Sequence, residues 1–238
     1  MKRRRPILLL GVAAVFGIGT CAAYKNPWVC SQFARDAVDP AEIERGRAAG
    51  LPNHAPAAAE CGYPQWRGAS RQGVAPVGPF RTDWDTNKPK ELWRVPVGAG
   101  YGSCAVVGGK VYVQDHRGDT ERVMCLDAMT GKQLWEHAST VERIGTGLGY
   151  ETGSRATPTV SGNAVYAVGA AGKLLALEPA GKGVKVLWEH ELLSEFAAPM
   201  PEWGVACSPL VLGELVIVLP GGKKGAVVAF DRRTGDVR

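Results

Sequence analysis

SCAVVGGKVYVQDHRGDTERVMCLDAMTGKQLWEH, residues 103–137, is the stretch that decides the fold. Its apolar pattern resolves into short strands at 106–107, 111–113, 123–126 and 134–137, separated by Gly108-Gly109, Gly118-Asp119 and Thr130-Gly131. Short runs rich in Val and Tyr, punctuated by Gly and Asp, predict strands joined by tight turns rather than helices. The stretch then recurs in diverged form. Val111-Tyr112 aligns with Val165-Tyr166, 54 residues on, and again with Val216-Ile217, a further 51; Trp135 aligns with Trp188, 53 on. Four short strands per repeat at this period predict propeller blades. The expected fold class is all-β, a partial (unclosed) β-propeller of four-stranded antiparallel blades, preceded by an N-terminal hydrophobic helix.

The alignment also assigns turn chemistry. Asp127-Ala-Met-Thr130-Gly131 matches Asp231-Arg-Arg-Thr234-Gly235, where the carboxylate accepts hydrogen bonds from the N–H groups of its own turn and the glycine supplies a positive φ. The middle copy, Glu178-Pro-Ala-Gly181, is looser. Trp135 and Trp188 each open a last strand, and a tryptophan recurring once per repeat is expected to lie buried between neighbouring sheets. Residues 91–97, which carry Trp93, predict one further strand. Cys125 aligns with Ala176 and Ala229 and is read as a small buried side chain.

With Pro64-Gln65-Trp66-Arg67-Gly68, Leu92-Trp93-Arg94-Val95, Arg155-Ala-Thr-Pro158 and Trp203-Gly204 added, residues 63–238 resemble the pyrroloquinoline-quinone-like (PQQ-like) β-propeller repeat family. That group includes quinoprotein dehydrogenases and the propeller lipoprotein of outer-membrane β-barrel assembly, and these motifs look most like the assembly-type proteins of planctomycete-type bacteria. The resemblance implies an envelope location and a first strand that completes the last blade. For the dehydrogenases it implies an adjacent cysteine pair, calcium ligands and a catalytic carboxylate. No two cysteines adjoin here, and Asp127 and Asp231 are accounted for by their turns. The expectation is therefore no cofactor, with PQQ possible only if further blades supply its site.

Composition bounds the remaining choices. The chain has 238 residues, is 45% hydrophobic and carries a net charge of +5, of which Lys2, Arg3, Arg4 and Arg5 supply four. A balance of +1 over the rest gives no footprint for nucleic acid. Those four cations abut an apolar run over residues 7–23, so residues 1–24 read as a signal peptide or membrane anchor; Cys21 ends a degenerate lipobox. Residues 25–62 read as a linker with a short helix, capped at Asp39-Pro40-Ala41-Glu42 and ended by Gly50. Cys30 and Cys61 flank that linker as a disulfide to test. Residues 63–238 hold about three blades, the third lacking its fourth strand. The chain is thus expected to be an N-terminal part of a longer propeller, prone to associate through unpaired edges if it ends at Arg238.

Catalytic signals are thin. His137 and His190 repeat beside Trp-Glu as strand residues, and Gly145-Thr-Gly-Leu-Gly149 spells a dinucleotide loop with no helix after it. Pro220-Gly-Gly-Lys-Lys-Gly225 reads as a hairpin turn with exposed lysines. The two long connections, 139–155 and 191–206, should emerge on one face, and functional residues concentrate on such loops. Tyr150, Arg155, Glu202 and Trp203 are the candidate binding residues. Trp93, Trp135, Trp188, Asp127, Gly131, Asp231 and Gly235 are the structural repeat residues. The function expected is an envelope-associated, membrane-tethered noncatalytic scaffold on the periplasmic side, binding a protein or peptide partner. The alternative is the N-terminal part of a quinone-dependent dehydrogenase.

Overall fold

The computed structural model describes residues 62–73, 82–141 and 153–238. The leader, the helix and linker predicted before Cys61, the cysteines at 21, 30 and 61, the 145–149 glycine run and Tyr150 lie outside these residues. No helix among the described residues is long and apolar enough to cross a membrane.

Three antiparallel sheets follow one another along the chain. The first is β1 (Ala105–Val107), β2 (Lys110–Arg117), β3 (Thr120–Asp127) and β4 (Gln133–Thr140), hydrogen-bonded in that order. The second repeats it with β5 (Thr159–Ser161), β6 (Ala164–Val168), β7 (Lys173–Ala180) and β8 (Gly183–Glu191), followed by one helical turn, α1 (Leu192–Glu195). The third has β9 (Leu210–Leu212), β10 (Leu215–Val218) and β11 (Val228–Asp231). A fourth strand is only begun there, by a bridge between Phe230 and Val237 and by Arg238 N–H donating to Ala229 O at 2.9 Å. These are the partial blades read from the repeat.

Alternation along the strands decides what packs where. Tyr112, Val123, Cys125 and Trp135 on the first sheet meet Val160, Val165, Ala167, Leu175 and Leu177 on the second in one buried cluster. Tyr166, Val168, Leu174, Ala176 and Trp188 meet Val216, Val218, Val228 and Phe230 in the next. Each Val, Leu or Phe among them, removed from water, contributes about 1.5–3 kcal/mol. A β-bulge falls at the same repeat position in both complete sheets, between Cys125 and Leu126 and between Ala176 and Leu177, beside the pairs Cys125–Trp135 and Ala176–Trp188. Cys125 is fully buried, as its alignment with alanine requires.

The tryptophans lock neighbouring repeats through the turns. Trp93 Nε1–H donates to Ala128 O at 2.9 Å, and Gly131, at φ +71°, lies so close to the indole that a Cβ there would sit 2.6 Å from the ring. Trp188 does the same two repeats later: Nε1–H donates to Arg232 O at 3.1 Å, and a Cβ on Gly235 would sit 2.8 Å away. The glycines are thus fixed twice, by positive φ and by the ring over them. Trp135 faces the middle copy, where the Asp-Thr-Gly turn is absent. There β7 and β8 pair on to Ala180 and Gly183 around a two-residue turn. Among the described residues no carbonyl reaches the buried Trp135 Nε1, which has no hydrogen-bond partner there.

Asp127 Oδ1 accepts from the Met129 and Thr130 N–H groups and the Thr130 hydroxyl; Asp231 Oδ1 accepts from Arg233 and Thr234. Thr130, by hydroxyl and backbone, holds the Asp127 carboxyl below its usual range, and the Arg233 and Thr234 N–H groups do so for Asp231. A carboxyl with a lowered folded pKa adds stability above its unfolded value, about 3.9, and loses it as pH falls through the folded value. On acidification below about pH 4 the urea midpoint should therefore drop, and D127N/D231N should flatten that limb. An unchanged acid limb in the double variant would refute the assignment.

The strand expected over residues 91–97 does not form. Its apolar pattern suits one, but among the described residues no neighbour supplies a ladder, and pairing begins only where Ala99 bridges His116. Residues 62–73, turn-rich as expected, lace the inner edges of all three sheets. Tyr63 exchanges both backbone bonds with Val106 of β1, Pro64 O accepts Val160 N–H of β5, and Arg71 reaches Ser208 O and Pro209 O ahead of β9. Beside this strap runs a hydroxyl ladder at one repeat position: Ser103 Oγ lies 2.9 Å from Thr157 Oγ1, and Thr157 N–H donates to Ser208 Oγ at 2.9 Å.

Candidate functional site

Arg155, at the end of the first long connection, and Trp203, within the second, are neighbours. Residues 98–102 and 153–156 run side by side, with Gly100 bridged in parallel to Ser154 and Tyr101 N–H donating to Ser154 O at 2.8 Å. The approach needs glycine: a Cβ at Gly102 would lie 2.2 Å from Ala156 O, and one at Gly153 2.4 Å from Ala99 O. From the other connection, Val205 N–H donates to Ala170 O at 2.8 Å, and Gly204, at φ +75°, turns the chain tightly against Ala170.

These two anchorages bring Arg155 and Trp203 together. Arg155 Nε–H donates to Trp203 O. Its Cζ lies 4.5 Å from the centre of the Tyr101 ring and 5.4 Å from that of Trp203. Tyr101 is 59% exposed and Trp203 40%. Glu202 is exposed next to them and makes no ion pair with Arg155. Of the four residues predicted, the structure brings two into contact, leaves Glu202 beside them, and does not describe Tyr150. It adds Tyr101, whose signal in the sequence is a lone aromatic among glycines, Gly98-Ala-Gly-Tyr101-Gly102.

Two buried carboxylates hold this cluster from beneath. Glu121, 7% exposed, accepts from Ser154 Oγ at 3.0 Å and from Ala170 N–H at 2.7 Å. It therefore ties β3 both to the residue before Arg155 and to the residue whose carbonyl anchors Val205. Asp115, 1% exposed, accepts from Gly98 N–H at the start of the Tyr101 segment and from Arg122 on two nitrogens. Arg122 donates onward to Glu136 at 3.1 Å, and its bond to Asp115 raises its own pKa. Neither carboxylate was singled out in the sequence, where each is one acid within a strand.

The described residues offer little to a metal or a quinone. No three His, Cys, Asp or Glu side chains among them converge. The free cysteines at 104, 125 and 207 stand on different strands or connections, and burial pushes the Cys125 thiol up to about 11. His137 lies half-buried in β4, with its pKa lowered by that burial. The cleft lined by Gln114, Glu121, Ser139, Gly169 and Lys173 encloses only about 10 Å³, far short of the roughly 300–1,000 Å³ of small-molecule sites.

The sequence profile of the family described as outer membrane protein assembly factor BamB matches residues 82–238, well over half of the chain. The chain belongs to this family. No curated protein matches it. Among solved structures, quinohemoprotein alcohol dehydrogenase from Comamonas testosteroni is 21% identical with a TM-score of 0.43, over 59% of this chain and 20% of its own. A europium-containing methanol dehydrogenase gives 21% and 0.43, over 60% and 24%. BamB from Moraxella catarrhalis gives 21% and 0.36, over 58% and 34%. The chain thus spans between a fifth and about a third of the length of these structures.

Proposed function

We propose that this BamB-family chain is a noncatalytic propeller scaffold of the cell envelope that binds a protein or peptide partner on the loop face built by Tyr101, Arg155 and Trp203, with Glu202 at its rim. The single observation that carries the reading is this cluster: two exposed aromatic rings and a half-buried guanidinium, brought together from three segments and anchored by buried Glu121 and Asp115. Exposed aromatics and arginine on a rigid base are the residues that dominate protein interfaces. The family description, an outer membrane assembly factor, supplies the setting: a partner among proteins assembled at that membrane. Residues 1–24 then serve as leader or anchor and residues 25–62 as tether, with the repeats from 63 onward as the binding body.

The test uses the full chain in cells with an intact envelope. A photo-crosslinking amino acid is placed at Trp203 and, separately, at Met129, which is 70% exposed in the β3–β4 turn. A discrete adduct from position 203 and none from 129 is expected. No adduct at 203, or the same adduct from both, overturns the reading.

A further inference from the structure

Arg71 and Arg155 are both held by the chain without an ion pair among the described residues, and of the two Arg155 lies on the loop face. Arg122 carries Asp115 and Glu136, Arg232 carries Glu214, Arg238 carries Asp231, and Arg94 carries Glu91. Arg155 has no ion pair among the described residues, although Glu202 adjoins the tryptophan whose carbonyl it binds. Its Nε is committed to Trp203 O, and the guanidinium carbon lies within cation–π range of two rings. The side-on edge of the guanidinium is therefore occupied by the chain itself, while among the described residues nothing hydrogen-bonds its terminal nitrogens. Two parallel N–H donors on a planar fork match a carboxylate.

We propose, resting on the scaffold reading above, that Arg155 is a carboxylate receptor whose two terminal nitrogens take, end-on, a Glu or Asp side chain in an extended segment of the protein partner. The Tyr101 and Trp203 rings flank that pair with apolar surface, so the acidic residue sits next to an apolar one in the segment. A phosphate group carries close to two charges and is held by clusters of cations; this cluster has one. Glu121 makes the receptor rigid, since it holds Ser154 on one side and, through Ala170, the Trp203 loop on the other. Little is then spent on ordering the arginine when the partner arrives.

The test is anisotropy of dye-labelled, end-capped peptides with the purified full chain. The probes are Gly-Ser-Val-Glu-Val-Ser, its Gln counterpart and its phosphoserine counterpart, with vesicles containing phosphatidylglycerol as a further arm. A hydrogen-bonded charge pair predicts that the Glu peptide binds about tenfold tighter than the Gln peptide or better. R155M should abolish that preference. R155K, which keeps the charge and the long side chain but loses the fork, should abolish most of it and serves if R155M fails to fold. Equal binding of Glu and Gln peptides, no binding of the Glu peptide at millimolar concentration, a preference that survives R155K, or tighter Arg155-dependent binding of phosphoserine peptide or vesicles would each overturn the proposal. An adduct at position 203 with no Glu preference would leave the scaffold standing and remove only the receptor. Loss of the adduct with the preference intact would do the reverse.

Discussion

Trp188→Ala should cost about 3–5 kcal/mol of stability, read as a lowered urea midpoint with an unchanged slope. The ring is 9% exposed, lies 5.9 Å from Tyr166 and 6.0 Å from Phe230 between centroids, and covers Gly235. Its removal opens the seam between the second and third sheets, and Gly235 has no side chain with which to refill it. Phenylalanine separates packing from hydrogen bonding. W188F keeps most of the ring but loses the donor to Arg232 O. W135F loses an N–H that is already buried without a partner among the described residues. The second substitution should therefore be cheaper by about 1 kcal/mol, the net worth of one hydrogen bond. Equal costs would show that the middle turn holds Trp135 in some way its missing carbonyl does not suggest.

The second large effect belongs to the carboxylate under the loop face. Arg122→Ala leaves Asp115, whose side chain is 1% exposed, with only the Gly98 N–H, and Asp115→Ala leaves Arg122, 13% exposed, with Glu136 alone. Breaking a buried pair from one side costs about 3–5 kcal/mol. Replacing both partners by apolar groups of similar size leaves no uncompensated charge, so D115L/R122M should be more stable than either alanine variant. The thermal midpoints of the three proteins check this, and a double variant worse than both singles would refute it. Asp115 also fastens the segment carrying Tyr101, so each alanine variant should weaken adduct formation at position 203 even at temperatures where the sheets are intact.

What could be read without coordinates follows from how local each signal is. The strands, the Asp-Thr-Gly turns and the buried tryptophans are written within a few residues and repeated, so each copy corroborates the other. The convergence of Arg155 and Trp203 was legible from topology, since two equivalent connections leave successive sheets the same way. Glu121 was not legible, because an acid at position two of a strand reads as a solvated charge until the Ala170 N–H of the next repeat is seen above it. Tyr101 depends on glycines whose purpose is a close approach to a segment more than fifty residues away. Residues 91–97 fail in the opposite direction: a strand-like pattern needs a neighbour, and no local rule reports whether one is there.

The strap over the inner edges bears on the order in which this structure assembles. Arg71 bonds to Pro209 across 138 residues, and Tyr63 to Val106 across a shorter span. Closing a long loop costs entropy that rises with the logarithm of its length, and these few bonds recover it only once β1, β5 and the chain entering β9 are already in register. The strap is thus the last part to seat and the first to lift. The amides of Val106 and Val160, whose acceptors it supplies, will exchange with solvent through an opening that leaves the rest of their own sheets shut.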